Sequence, residues 1–162
     1  MSSSSGASGV AEAGVARDQP DGQTSPRLIG GARLLHFRTM NDSRGVLTVG
    51  EVGAELPFAP VRFFTVSGVP AGQCRGEHAH HRLEEVVVLV RGACTVSLDD
   101  GRDRQDVLLD SPTVGLYIPP MLWRVHHSHS PDAVLLALAS TPYEPADYIR
   151  DYDEFLSAAG VR

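Results

Sequence analysis

The sequence predicts an all-β chain, a sandwich or barrel of jelly-roll type closed by one short C-terminal helix. From about Arg27 onward, Gly, Pro and Asp recur at short intervals, and the segments between them are rich in Val, Leu, Phe and Thr, which is the pattern of many short strands. Only PADYIRDYDEFLSAAG near the end carries a helical signature, and a run of strands followed by one terminal helix fits two packed β-layers. At 162 residues the chain is long enough for one core of ordinary size. A tail over residues 1–26 and a single domain over 27–162 are therefore expected.

The Ser, Gly and Ala content of the opening segment reads as disordered. It has neither the basic n-region nor the apolar h-region of a secretory leader. Strands are expected near 33–38, 45–52, 61–67, 85–91, 93–99, 104–109, 114–118, 123–129 and 133–140. Asp99-Asp100-Gly101 marks the clearest hairpin, because Asp-Gly tolerates the positive φ of a tight turn. In the final segment Pro145 suits a first helical turn, Tyr148, Tyr152 and Phe155 fall at i, i+4 and i+7, and Gly160 ends the pattern.

Fourteen Lys and Arg against twenty Asp and Glu give a net charge of -6 with no basic block, so no nucleic-acid footprint is visible. An anionic ligand must then be held by a few placed arginines rather than by the field of the whole protein. The two cysteines, Cys74 and Cys94, lack the spacing of a disulfide framework or zinc knuckle. No apolar run approaches the length of a bilayer span. A soluble, cytoplasmic protein without membrane or nucleic-acid partners is expected.

Six of the seven histidines fall in two clusters, His78, His80 and His81, then His126, His127 and His129. In an extended segment alternate side chains share a face, so His78 and His80 converge on one volume with Ala79 and His81 opposite. Without context such a pair is most often a solvated or hydrogen-bonded strand end. Here it lies between a Gly-rich turn and an apolar run, at the expected mouth of a barrel, where small-molecule sites are common.

Two chemistries remain open for this cluster. His78, His80 and Glu85 could form a two-histidine, one-carboxylate metal triad. Alternatively, two imidazoles with ordinary pKa values of about 6.5 could move protons near neutral pH without a metal.

The spacing Gly72, five residues, His78-x-His80, four residues, Glu85, six residues, Gly92 closely resembles the first motif of the cupin superfamily, and GLYIPPMLW, Gly115 to Trp123, is similar to the second. Metal-binding cupins are implied to complete their ligand set with a histidine where this chain has Trp123, and indole cannot bind a metal. RGEHAHHRLEE, LDDG, SPTVGLYIPPMLW, SPDAVLLALAS and YEPADYIRDYDEF together resemble the sugar nucleotide 3,4-ketoisomerases, also grouped as WxcM-like proteins, over Arg62 to Phe155.

That resemblance implies a cupin fold and isomerisation of dTDP-4-keto-6-deoxyglucose to its 3-keto isomer through an enediol, in amino-deoxysugar synthesis, with no cofactor and no metal. It implies His80 as the principal base with His78 as its partner. Arg75, Arg62, Thr65, Glu85 and Trp123 are the expected substrate-binding residues. Family members commonly carry tyrosines in the strand aligned with Arg62 to Pro70, where this chain has Phe63, Phe64, Thr65 and Ser67. Many have glutamine in place of Glu85, and a histidine and an aromatic residue in place of Arg124 and His129.

Asp147, Tyr148, Arg150 and Asp151 match the family phrase, and capping and docking of the terminal helix is the expected role for them. The resemblance further implies a homodimer, in which the apolar LLHF strand could be exchanged between subunits. A metal-dependent cupin oxygenase and a non-catalytic nucleotide-sugar-binding cupin are the alternative functions.

Overall fold

A computed structural model describes residues 11–12 and 27–161. The rest of the expected tail lies outside the described residues. Ala11–Glu12 form a two-residue strand, β1, parallel to β9 (Arg104–Leu109).

Two sheets build the molecule. The first has the order β1-β9-β8-β11-β6-β13, where β8 is Cys94–Asp99, β11 Trp123–His127, β6 Arg75–His80 and β13 Tyr148–Ile149. The second has the order β2-β10-β7-β12-β5, where β2 is Arg33–His36, β10 Val114–Ile118, β7 Glu85–Arg91, β12 Val134–Ala139 and β5 Arg62–Ser67. A separate hairpin joins β3 (Arg38–Asp42) to β4 (Gly45–Val49). Two packed, mostly antiparallel sheets answer to the expected jelly roll. The LLHF segment supplies β2, which pairs with β10.

The core follows from period-two alternation. Val87 and Leu89 of β7, Leu116 and Ile118 of β10, and Leu135 and Ala137 of β12 meet Cys94, Val96 and Leu98 of β8 and Val107 and Leu109 of β9. Strand β7 is buried on both faces, its Val86 and Val88 joining Leu56 in a second cluster outside the sandwich. That explains its unbroken apolar run. The β8–β9 hairpin forms where expected, with Asp99 opposite Arg104, Gly101 at φ +90° and its N–H donating to Asp99.

The C-terminus departs from the expected single helix. Pro145–Asp147 make one 3₁₀ turn, Tyr148–Ile149 pair with β6, and only Tyr152–Ala158 form an α-helix, α1, capped by the Asp151 carboxylate on the Glu154 N–H. Tyr148 therefore belongs to a strand, not to the helical face that Phe155 buries. The helix lies on the outer side of β6 and β11, over Ala79, Ile149 and Trp123. No helix among the described residues is long and apolar enough to cross a membrane.

Candidate active site

The inner rows of both sheets turn polar at one end of the sandwich. On the second sheet Ala139 lies between Arg62 and Glu85, paired with each. Because directly opposed residues share a face, both long side chains enter the interior over a small one. On the first sheet Arg124 opposes His78, and Tyr148 opposes His80. His126 follows Arg124 two residues along the same buried row.

A β-bulge sets the histidines. Between Arg124 and Val125 the register of β11 against β6 slips by one residue, leaving Glu77 extra, and Gly76 and Glu77 both take positive φ, +90° and +55°. Such a bulge re-aims the side chains that follow it. Gly76 is needed there, since a Cβ would stand 2.9 Å from the Arg124 carbonyl oxygen. The same turn brings the Gly76 carbonyl within 2.9 Å of His78 Nδ1. A carbonyl can only accept, so Nδ1 carries the proton and Nε2 keeps its lone pair.

His80 is fixed similarly. Its Nδ1 lies 3.1 Å from Asp147 Oδ2, and both side chains are buried. The Asp147 carboxylate also accepts the backbone N–H groups of Arg82 and Leu83, at 2.9 and 3.1 Å, so it is itself held in place. The imidazole therefore donates from Nδ1 and offers Nε2 as a base. The two histidine rings stand edge to face at 4.8 Å.

The surroundings keep these imidazoles neutral. Burial, then the Arg124 guanidinium, bring His78 down to about 4 and His80 to about 2; His126 falls to about 3 for the same leading reasons. The sign of the linked stability follows. A histidine whose folded pKa lies below its unfolded value of about 6.5 contributes stability that is full above that pH and is lost as pH falls toward the folded value. His80 and His126 should each remove up to about 1.4 kcal/mol per pH unit below about pH 6. Thermal melts between pH 7 and pH 5 should show a steadily falling midpoint, and a flat midpoint over that range would contradict the assignment.

Glu85 and Arg124 form the other buried pair, with Oε2 and Nε 3.8 Å apart. Burial pushes Glu85 above its ordinary value, while Arg124 and Arg62 pull it down. Among the described residues, neither Oε2 of Glu85 nor any guanidinium nitrogen of Arg124 has a hydrogen-bond partner, and the same holds for Nε and Nη2 of Arg62 and Nε2 of His126. Donors this deeply buried are left unpaired at a cost unless something polar occupies the space between them. These groups are able to hydrogen-bond an oxygen-rich ligand.

The sequence-expected residues separate into two groups. His78, His80, Glu85 and Arg62 come together in the interior. Arg75 stands at the start of β6, opposite His126, on an open depression shared with Val69, Pro70, Gln73 and Cys74. Two expectations need correction. Thr65 is exposed on the outer face of β5, because it lies an odd number of residues from the inward Arg62. Trp123 also faces out, packing on Tyr152 and Phe155 of the α1 region with ring centroids 5.2 and 5.6 Å away.

Asp147 and Tyr148, assigned by the sequence reading to helix docking, instead touch the histidines. The D-Y pair of the family phrase was their only signal. The metal triad does not fit the donor set. Glu85 faces a guanidinium, whose charge would repel a bound cation, and among the described residues no three His, Cys, Asp or Glu side chains form a metal-ligating group.

Comparison with known proteins identifies the family. The WxcM-like, C-terminal FdtA family model matches residues 30–160. The TDP-4-oxo-6-deoxy-alpha-D-glucose-3,4-oxoisomerase of Aneurinibacillus thermoaerophilus is 42% identical over 123 residues, 76% of this chain and 88% of that protein. A 3,4-ketoisomerase from Helicobacter canadensis superposes with a TM-score of 0.78 at 39% identity, covering 80% of this chain and 97% of that one. A His-to-Asn variant of the 3,4-ketoisomerase QdtA from Thermoanaerobacterium thermosaccharolyticum, solved with TDP-4-keto-6-deoxyglucose, superposes with a TM-score of 0.80 at 32% identity, covering 83% and 98%. The fold and the sequence match together place this chain in the WxcM-like FdtA family.

Proposed function

We propose that this protein is a TDP-sugar 3,4-ketoisomerase, taking TDP-4-keto-6-deoxyglucose to a 3-keto-6-deoxyhexose. The observation that carries the chemistry is His80, neutral, oriented by Asp147 and offering Nε2 to an interior lined by arginines. The 4-ketone acidifies the hydrogen on carbon 3, and His80 removes it. Negative charge then develops on the carbon 4 oxygen, where the unpaired donors of Arg124 and Arg62 supply the stabilisation that a water-excluded site makes effective. Reprotonation at carbon 4 completes the shift.

His78, edge-on to His80, supports the proton relay. Arg75, on the open depression beside β6, suits the diphosphate, since a guanidinium fork matches phosphate oxygens. None of these steps needs a cofactor. The direct test is to incubate the protein with TDP-4-keto-6-deoxyglucose and follow the sugar by NMR. A 3-keto isomer of unchanged mass supports the reading, and an unchanged substrate sinks it.

We further infer a homodimer. Among the described residues the β3–β4 hairpin pairs only with itself, and it exposes Met40, Val46 and Leu47 at 52, 62 and 58%. Edge strand β5 presents Phe63, 71% exposed, and bare edges and apolar ribbons of this kind are usually covered. Sedimentation at micromolar concentration should give a dimer, and a monomer would remove the inference. The two free cysteines, Cys74 and Cys94, fit a reducing compartment and support a cytoplasmic enzyme.

A further inference from the structure

Tyr148 lies against both histidines. Its ring centroid is 4.2 Å from that of His80 and 5.0 Å from that of His78. It gets there through tertiary pairing: β13 runs antiparallel to β6 with Tyr148 opposite His80, so the two side chains enter the same interior. The Arg150 guanidinium carbon stacks 4.4 Å from the centroid of the Tyr148 ring.

The state of the phenol separates this residue from the other three tyrosines. Tyr117 donates its hydroxyl to Glu84 at 2.6 Å, and Tyr152 donates to Asp99 at 2.7 Å. Tyr143 is 58% exposed. The Tyr148 hydroxyl makes no hydrogen bond to another described residue, yet it is close enough to Arg124 to interact with it electrostatically. Burial pulls the Arg124 guanidinium down, and Glu85, Tyr148 and Asp147 work against that. On β5 the inward residues are Arg62, Phe64 and Val66, none of them a phenol, with Phe63, Thr65 and Ser67 exposed.

We propose that Tyr148 is the second acid–base group of the isomerisation, the phenol that protonates carbon 4. This rests on the ketoisomerase reading above. The proton inventory closes with two residues. His80 Nε2 takes the carbon 3 proton, the C–H pair becomes the C3=C4 double bond, and the carbonyl pair moves to the carbon 4 oxygen, which receives that proton from His80. The double-bond pair then takes the Tyr148 proton at carbon 4, the oxygen on carbon 3 becomes the new carbonyl, and its proton passes to the phenolate. Both residues end as they began. Arg124 and Arg150 stand where they offset the transient phenolate charge.

The test is Tyr148→Phe, which keeps the ring against His80 and removes only the hydroxyl. In deuterated water with TDP-4-keto-6-deoxyglucose, conversion to the 3-keto product should fall at least about 100-fold. Exchange of the carbon 3 hydrogen should stay within about threefold of the parent enzyme, because His80 still takes and returns that proton. Conversion within about threefold of the parent overturns the proposal. So does loss of conversion and exchange together, the mark of a ring that only supports His80.

A parent enzyme that converts nothing overturns the ketoisomerase reading itself, a result visible before the variant is made. If the phenylalanine variant does not fold, a fluorinated tyrosine at position 148, with its more acidic phenol, must shift the alkaline limb of the rate profile to lower pH. An unmoved limb would overturn the proposal.

Discussion

Replacing His80 by asparagine is expected to cut turnover of TDP-4-keto-6-deoxyglucose by about 10²–10⁴-fold, the range attributed to a positioned general base. Asparagine occupies similar space and can still hydrogen-bond Asp147, so the buried carboxylate is not abandoned. It has no basic nitrogen to offer the sugar. The loss should therefore fall on kcat, with affinity for TDP by calorimetry within about threefold of the parent. A variant with full kcat would exclude His80 as the base, and a variant that no longer binds TDP would make its role structural.

The second large effect is on stability. Glu85→Gln removes the carboxylate that faces Arg124 and leaves a buried guanidinium without a counter-charge. Arg124 cannot escape by losing its proton, because its ordinary pKa is too high, so the cost should approach the roughly 3–5 kcal/mol of a broken buried pair. For a domain of this size that is a fall in Tm on the order of 10 °C. A second arm removes the charge from both partners. Glu85→Gln together with Arg124→His should recover most of the lost midpoint. A double variant no more stable than the single one would show that the two residues are not coupled.

The layout of strands was legible because burial imposes a period of two, which β5, β8, β11 and β12 display directly. The histidine pair was legible for the same reason. Parity also contained two corrections that motif matching obscured. Arg62 and Thr65 are three apart, and Trp123 is adjacent to Arg124, so in a strand neither couple can share a face. The interior takes Arg62 and Arg124.

What could not be read was created by tertiary pairing. Tyr148, Tyr152 and Phe155 have helical spacing, yet Tyr148 is drawn into a two-residue strand against His80, and no local pattern announces a strand that short. The bulge at Gly76 and Glu77 is equally silent in sequence, although it fixes the tautomer of His78. Asp147 illustrates the same limit: an ordinary acidic residue ahead of a helix becomes the partner of a histidine 67 positions away.

The central claim is proton transfer between neighbouring carbons by residues of this chain alone. It is tested most directly by incubating chelator-treated protein with TDP-4-keto-6-deoxyglucose in deuterated water and following carbons 3 and 4 by NMR. The expected result is a 3-keto product carrying solvent deuterium at carbon 4. The contradicting result is neither product nor exchange until a divalent ion is restored.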